Sequence, residues 1–381
     1  MKQIQKVLVV NCGSSSLKFQ LFDMKGEKML CKGLVERIGL DGSRLVYTKT
    51  GCDKVVREVP MKDHVAAIGQ VMAVLTDAEV GVIASLSELD AIGHRVVHGG
   101  DKFSAPAKLT AAAKKLIAKC IPLAPLHNPA NLQGIEACEK AAKGVPNVGV
   151  FDTAFHQTMP PESYMYALPY EMYEKYHIRR YGAHGTSHRY VAGEMIKLLG
   201  GKAEGTKIIT CHIGNGSSIS AVKDGKVLDT SMGFTPLAGV LMGTRCGNID
   251  PAIVPYIMDK EGMSTAEVAA FMNKKCGYLG ITKGYSSDSR DLESAIANGP
   301  SDPHYELSNL AVNMLKHEMK EYIGAYTAIM NGLDALVFTA GLGENNPRLR
   351  KIVCEDMDFF GIKLNDEVND RTLRQPNIVK I

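Results

Sequence analysis

A chain of 381 residues, 45% of them apolar, is longer than the roughly 250–300 residues at which a single core stops growing, which excludes a one-core protein as the natural expectation. A net charge of +3 with the two signs interspersed argues against nucleic acid or an anionic membrane as partner. Nine cysteines without a C-x-x-C pair fit free thiols in a reducing cytosol better than a disulfide framework or a zinc site.

The opening stretch VLVVNCGSSSLKFQLFD, residues 7–23, predicts a strand, a small polar loop and a second strand. The N-terminus enters it without an h-region or cleavage site. A Met-Lys-Gly-Glu turn at 24–27 leads to a third strand over 28–37. Helical periodicity follows at 62–76 and 110–120. The longest apolar region, near 65–86, is broken by Gln70, Asp77 and Glu79 and reads as an amphipathic helix rather than a membrane span. LDAIGHRVVHGG, residues 89–100, predicts a strand entering a basic loop; AKGVPNVGVFDTAFH, residues 142–156, predicts a strand entering an acidic one. The opening pattern then returns in KIITCHIGNGSSISAVKDGKVLDT, residues 207–230, where Ser217-Ser218 echo Ser15-Ser16. Helices are expected over 264–273 and 303–331, and a strand over 333–340 breaks into GLGEN. Strands alternating with helices indicate an α/β class. Two domains that each open on strand–loop–strand are expected, 1–152 and 153–381.

Three stretches share one design, an apolar strand followed by small polar residues: 11–16, 212–218 and 341–345. Glycines let the backbone approach a ligand, and successive N–H groups and hydroxyls form a concave anion site. A tight hairpin is the plain reading of any one of them; three in one chain favour nucleotide binding. Neither G-x-x-x-x-G-K-[ST] nor G-x-G-x-x-G occurs, which counts against a Walker ATPase, a protein kinase and a Rossmann dehydrogenase.

Arg95 stands where a strand becomes a loop, and Arg245 lies between Gly243 and Gly247. Loop arginines are usually solvated, yet a planar guanidinium is also the usual partner of phosphoryl and carboxylate oxygens. Asp152 at a strand end could cap a helix, hold a metal or orient a substrate. His184 and His188 have i, i+4 spacing, which invites a zinc reading. Gly185 between them argues against one helix face, so His184 is read as a hydrogen-bond donor. His127 sits between Pro125 and Pro129 in a rigid loop, where a structural role is the commoner one. Most of the eleven histidines fall between His94 and His212, which points to a polar site in mid-chain.

VNCGSSSLKF, HRVVHGG, LAPLHNPAN, FDTAFHQTMP, YGAHGTSH, HIGNGSS, MGTRCGNIDP, SSDSRD and FTAGLGEN occur in this order over essentially the whole chain. On these motifs the sequence closely resembles the acetokinase family, of the superfamily of acetate and sugar kinases, heat-shock ATPases and actin. The resemblance implies two duplicated actin/ribonuclease H-like βββαβαβα domains with an active-site cleft between them, acyl substrate and phosphate on the first and nucleotide on the second. It implies a cytoplasmic homodimer. The implied reaction is reversible, direct in-line phosphoryl transfer from ATP to acetate, giving acetyl phosphate and ADP, with Mg²⁺ or Mn²⁺ in its place. Carried over motif by motif, Asn11 would help hold the metal, and Asp152, His184 and Arg245 would be catalytic. Arg95, Val97, Leu126, His127 and Pro236 would bind the acyl substrate. Ser14, Ser16, Lys18, His212, Ile213, Gly214, Asn215, Gly216, Asp288, Ser289, Arg290, Gly341, Leu342, Gly343, Glu344 and Asn345 would bind ATP.

The implied chemistry suits these residue types. Phosphoryl transfer asks a protein mainly to position groups and stabilise charge, and an arginine there can be worth roughly 10³–10⁵ in rate. A carboxylate is already ionised at neutral pH and needs no base, so Asp152 is read as a metal or substrate orienter. In a hydroxyl kinase it would have to accept a proton. Two departures stand out. Ala183 replaces the family's usual phenylalanine in the acyl pocket, so a wider pocket favouring propionate or butyrate is expected unless a neighbour refills the space. The sequence ends at RQPNIVKI, where family members continue through a strand and a terminal helix bearing a magnesium-binding glutamate. The expectation is a chain without that helix, less stable and with fewer protein groups on magnesium. Two other classes compete: a sugar or other hydroxyl kinase on the same fold, and a nucleotide-binding module with little or no phosphotransfer.

Overall fold

The computed structural model describes residues 5–125, 127–373 and 378–381. The chain divides into two compact units, Met1–Ala154 and Phe155–Ile381.

In the first unit eight strands form one sheet: β1 (Lys6–Cys12), β2 (Ser16–Asp23), β3 (Lys28–Glu36), β4 (Arg44–Lys49), β5 (Lys54–Glu58), β6 (Ala91–Val96), β7 (Ala107–Lys108) and β8 (Asn147–Phe151), in the order β5-β4-β3-β2-β1-β6-β8-β7. β1 to β5 make an antiparallel meander, while β1, β6 and β8 run parallel. Alternation explains β2: Leu17, Phe19 and Leu21 point into the core and Lys18 and Gln20 point out. The inward side chains, with Leu8 and Val10 of β1, pack with Ile68, Val71 and Leu75 of the helix His64–Leu75 and Cys138 of the helix Asn128–Ala141. Each such large apolar side chain contributes about 1.5–3 kcal/mol on burial. The C-terminal ends of β1, β6 and β8 lie side by side, the usual ligand end of a parallel sheet.

The second unit has four strands, β9 (Lys207–Ile213), β10 (Ser217–Lys223), β11 (Lys226–Thr230) and β12 (Ala335–Thr339), in the order β11-β10-β9-β12. β9–β11 repeat the antiparallel meander and β12 runs parallel to β9. Two helices account for the deep burial of this sheet. Ile209, Cys211, Ile219 and Ala221 cluster with Leu315, Met319 and Ile323 of the helix Tyr305–Met330. Ile208 and Val222 cluster with Ala192 of the helix Gly185–Leu198. β10 is accordingly buried along almost its whole length. The expected two strands after each meander are met by β6 and β8 in the first unit. In the second, β12 alone joins the sheet among the described residues, and the chain continues through helices Ala340–Asn345, Pro347–Cys354 and Asp366–Arg371. Among the described residues no helix is long and apolar enough to cross a membrane.

Candidate active site

In the first unit the site residues stand at the ends of the three parallel strands. Arg95 on β6 donates from Nε and Nη2 to Asp152 Oδ2, at 2.9 and 2.6 Å, and from Nη1 to Asn11 Oδ1 at 3.4 Å. The Asp152 side chain is 3% exposed and that of Arg95 is 39% exposed, so the acid is buried and the cation reaches outward from it. Burial works against the Arg95 charge, but the Asp152 carboxylate and its hydrogen bonds outweigh it and raise the guanidinium pKa above its ordinary value. Asn11 lies inside β1 rather than in the turn, because pairing continues to Cys12–Leu17. It sits opposite Lys18, which is exposed. The turn itself is Gly13–Ser15, closed by the Gly13 N–H on the Ser16 carbonyl at 2.8 Å and held by His64 Nε2 against the Gly13 carbonyl at 2.7 Å.

The LAPLHNPAN motif brackets these strand ends. Asn131 Oδ1 accepts from the Val97 N–H at 3.0 Å while its Nδ2 donates to the Cys12 carbonyl at 2.7 Å, joining the ends of β6 and β1. Asn128 accepts from the His98 N–H and donates to the His98 and Ile117 carbonyls. Both asparagines are buried, and neither was singled out from sequence; their only signal was polar residues at i, i+3 at the start of a helix. Val97 is buried and His127 stands at the N-cap of Asn128–Ala141. Leu126 lies outside the described residues.

In the second unit His184 is the N-cap of the helix Gly185–Leu198, with a left-handed backbone (φ 59°), and His188 lies inside that helix. Both rings nevertheless reach Ser218 Oγ: His184 Nδ1 at 2.8 Å and His188 Nε2 at 2.7 Å. They therefore meet at a hydroxyl rather than side by side on a helix face. His212 stacks on His184 with ring centroids 4.1 Å apart, and its Nδ1 lies 2.8 Å from Ser187 Oγ. Arg245 donates from Nη1 to the Pro236 carbonyl at 3.0 Å and touches Met242 Sδ. Among the described residues no carboxylate pairs with Arg245, and burial lowers its pKa; guanidinium remains charged regardless. A Cβ at Gly216 would stand 3.4 Å from Arg245 Nη1 and 3.6 Å from His184 Nε2, so both side chains converge on the β9–β10 turn.

That turn borders a cavity of about 1110 Å³, lined by Gly214, Asn215, Asp288, Ser289, Arg290, Gly341, Leu342 and Asn345 among the expected residues. The size suits a nucleotide. His212, Ile213, Gly216, Gly343 and Glu344 are not on its wall. Glu344 instead accepts from Thr339 Oγ1 at 2.9 Å and the Ala340 N–H at 3.0 Å, and GLGEN folds as the helical turn Ala340–Asn345 rather than as an open loop. Asp288 caps the helix Ser289–Asn298, accepting from the Arg290 N–H at 2.9 Å, and the Arg290 side chain holds its carboxyl below the usual range. Gly243, Tyr278, Glu293 and Arg348 also line the cavity and were not anticipated. Gly243 is required by close approach: a Cβ there would be 1.9 Å from Asn215 Oδ1.

At the strand ends of the first unit the Asn11 carboxamide and the Asp152 carboxylate are oxygen donors suited to a hard cation. Among the described residues no group of three or more His, Cys, Asp or Glu could hold a metal ion. This small donor set fits Mg²⁺, which keeps several waters and takes ligands from substrate phosphates, rather than a cation needing a protein cage.

Fold and site together define a class: a two-unit α/β protein whose first unit presents an arginine–carboxylate pair at parallel strand ends. Its second unit presents a nucleotide-sized cavity, a histidine, and an arginine with no carboxylate partner among the described residues. Residues 6–380 match the acetokinase family, and the chain belongs to that family. It is 54% identical over 369 residues to the acetate kinase of Thermotoga maritima, covering 97% of this chain and 90% of the relative. Against the acetate kinase of Carboxydothermus hydrogenoformans the identity is 55% over 364 residues, covering 96% and 90%. The crystal structure of Porphyromonas gingivalis acetate kinase superposes with a TM-score of 0.92 at 49% identity, covering 98% and 92%. That of a propionate kinase from Francisella tularensis gives 0.88 at 41%, covering 96% and 91%.

Proposed function

We propose that this chain is an ATP:acetate phosphotransferase that works with Mg²⁺, in the cytoplasm and as a homodimer. A carboxylate oxygen of acetate attacks the γ-phosphorus, the bond from that phosphorus to the ADP oxygen breaks, and ADP leaves with the electron pair. Arg95 binds the acetate carboxylate, its outer face being open while Asp152 fixes its inner face. Arg245 and His184 stabilise charge on the equatorial oxygens of the transferred group. Gly214, Asn215, Asp288, Ser289, Arg290, Gly341, Leu342 and Asn345 bind the nucleotide through the cavity they line. Asn11, with Asp152 beside it, would hold Mg²⁺, which when bound neutralises phosphate charge.

The observation that carries this reading is the Arg95–Asp152 pair. Two guanidinium hydrogen bonds go to Asp152 Oδ2, so the carboxylate orients the cation that would meet a substrate carboxylate. Hydroxylamine trapping with ATP, Mg²⁺ and a panel of carboxylates and polyols is the test. Acetyl hydroxamate is expected, with no polyol-dependent ATP turnover; the reverse pattern overturns the reading.

Acetate is favoured over longer acids by the packing at Ala183. This residue is buried and clusters with Met232 and Met242, themselves 0% and 1% exposed. Flexible thioether side chains fill irregular space well, and these two pack against Ala183. One methylene is worth about 1–3 kcal/mol in such a pocket. The ratio of kcat/KM for acetate over propionate should therefore change less than tenfold in Ala183→Phe, and a larger change would favour a propionate or butyrate kinase.

A further inference from the structure

We propose that Glu318 and Tyr322, one turn apart on the helix Tyr305–Met330, are positioning residues that hold the Arg245 segment in place beside the β9–β10 turn. This role rests on the reading of Arg245 as a group that stabilises charge on the transferred phosphoryl.

Residues 231–252, between β11 and the helix Ile253–Glu261, contain no helix or strand. An irregular stretch of this length inside a compact unit is uncommon and usually functional. Its middle is nevertheless deeply buried: Val240, Leu241 and Met242 are 0%, 2% and 1% exposed. Buried backbone outside a helix or sheet must find its hydrogen-bond partners elsewhere. Part of the pairing is internal. The Asn248 N–H donates to the Gly239 carbonyl at 2.8 Å, and the Gly239 N–H donates to Asn248 Oδ1 at 2.9 Å, so the two ends of the Arg245 segment are tied together. Within it the Met242 N–H donates to the Arg245 carbonyl at 3.1 Å, and Met242 Sδ meets the Arg245 guanidinium. Gly247 has a φ of 73°, and a Cβ there would stand 2.6 Å from the Gly239 carbonyl oxygen, so the closure admits no side chain.

A turn closed on itself fixes its own shape but not its position. Position comes from the 26-residue helix Tyr305–Met330. Glu318 Oε2 accepts from the Leu241 N–H at 2.5 Å, immediately before Met242. The Tyr322 hydroxyl accepts from Asn248 Nδ2 at 2.7 Å, on the same side chain that holds Gly239. The two residues share a helix face by their i, i+4 spacing, and they grip the segment on both sides of Arg245. Leu315, Met319 and Ile323, interleaved with them, are buried in the core cluster of the second sheet. Arg245 is thereby referenced to that sheet through a rigid element rather than through its own irregular backbone. The choice of an acid is telling. Glu318 is half-buried, burial raises its carboxyl pKa against the pull of the Leu241 N–H, and the adjacent His317 pairs with Glu321 instead. Among the described residues Glu318 forms no ion pair. Such locally unfavourable choices concentrate at functional sites.

Three variants separate positioning from general stability. Glu318→Leu removes the acceptor, Glu318→Gln keeps an amide oxygen in its place, and Tyr322→Phe removes the hydroxyl alone. Each is made in the full chain by itself and together with Arg245→Ala, and steady-state kinetics with ATP, Mg²⁺ and acetate are compared. Glu318→Leu should lower kcat by roughly 10–100-fold with both KM values changed less than about threefold, and Glu318→Gln should recover most of the loss. Tyr322→Phe should lower kcat by about tenfold. In the Arg245→Ala background neither Glu318→Leu nor Tyr322→Phe should lower the residual kcat further, because the group they position is gone. Equal fold-losses in the two backgrounds overturn the positioning role. So does wild-type kcat in both Glu318→Leu and Tyr322→Phe beside an impaired Arg245→Ala. If Glu318→Leu does not fold, Tyr322→Phe decides by the same two comparisons. If Arg245→Ala itself keeps wild-type kcat, the reading of Arg245 fails and the positioning role falls with it.

Discussion

The two strand–turn–strand openings follow one backbone plan and solve opposite electrostatic problems. β2 alternates buried and open positions, so its polar side chains reach water, and Lys18 stands across from Asn11. β10 is covered on both faces, so its serines are buried and are matched by hydrogen-bonding side chains: Ser218 by two histidines, Ser220 by Thr230 Oγ1 at 2.8 Å. The arginines differ in the same way. Arg95 is anchored on a buried carboxylate, whereas Arg245 leans on a backbone carbonyl. A shared fold therefore does not imply a shared device. The first unit offers a cation of fixed direction, suited to a carboxylate; the second offers oriented dipoles and, in Arg245, a cation with no carboxylate partner among the described residues, suited to charge that appears during transfer.

Removing the arginines would break the comparison most sharply. Arg95→Ala and Arg245→Ala should each lower kcat/KM by roughly 10³-fold in a coupled assay. Only Arg95→Ala removes a guanidinium from a buried acid, so only it should also lower Tm; equal shifts in calorimetry would erase the distinction. A second cation without a carboxylate sharpens the contrast. Arg350 is 2% exposed, and its five N–H groups go to Asn369 Oδ1 and to the carbonyls of Gly343, Glu344, Asn369 and Thr372. Arg350→Met orphans these acceptors and should cost about 3 kcal/mol, seen as a lower Tm together with weaker nucleotide binding through a displaced helix Ala340–Asn345, whose Gly341, Leu342 and Asn345 line the cavity.

The histidines supply a pH test. Burial pushes the pKa of His94 and His98 down to about 4, whereas the unfolded chain titrates near 6.5. Below pH ~6.5 the unfolded state binds protons that the folded state does not. Stability should therefore fall as pH drops from ~6.5 toward ~4 and stay flat above that window, by a few kcal/mol per histidine. His188 has the same sign in the second unit. His94→Gln should flatten the slope for the first unit alone in unit-resolved hydrogen exchange; an unchanged slope contradicts the assignment. The smallest effect belongs to Gly243→Ala, whose Cβ would collide with Asn215. A roughly tenfold rise in nucleotide KM is expected with acetate KM unchanged.

Much of this was legible in the residues because burial on one face writes a period into the sequence. Val7 to Val10 and Leu17 to Phe22 announced β1 and β2, and the helix Tyr305–Met330 fell within its expected 303–331. β4 and β5 escaped notice; both are short, and the buried positions of β5 are only half-covered. The helix Gly185–Leu198 was hidden by its first turn, Gly-Thr-Ser, which reads as loop until His184 is seen as its cap. Arg95 and Asp152 could be named one at a time from strand ends. Their ion pair could not, because it depends on β6 and β8 being neighbours. The Ser218 junction was further out of reach, since it joins β9, β10 and a helix whose polar residues look ordinary in sequence.

The central claim is that a carboxylate oxygen of acetate becomes bonded to the γ-phosphorus of ATP. The most direct measurement is ³¹P NMR of the product formed from [¹⁸O₂]acetate, ATP and Mg²⁺. An acetyl phosphate resonance displaced by a single ¹⁸O in the bridge to phosphorus is the predicted result. An undisplaced resonance, or ATP consumed with no acetyl phosphate formed, would contradict it.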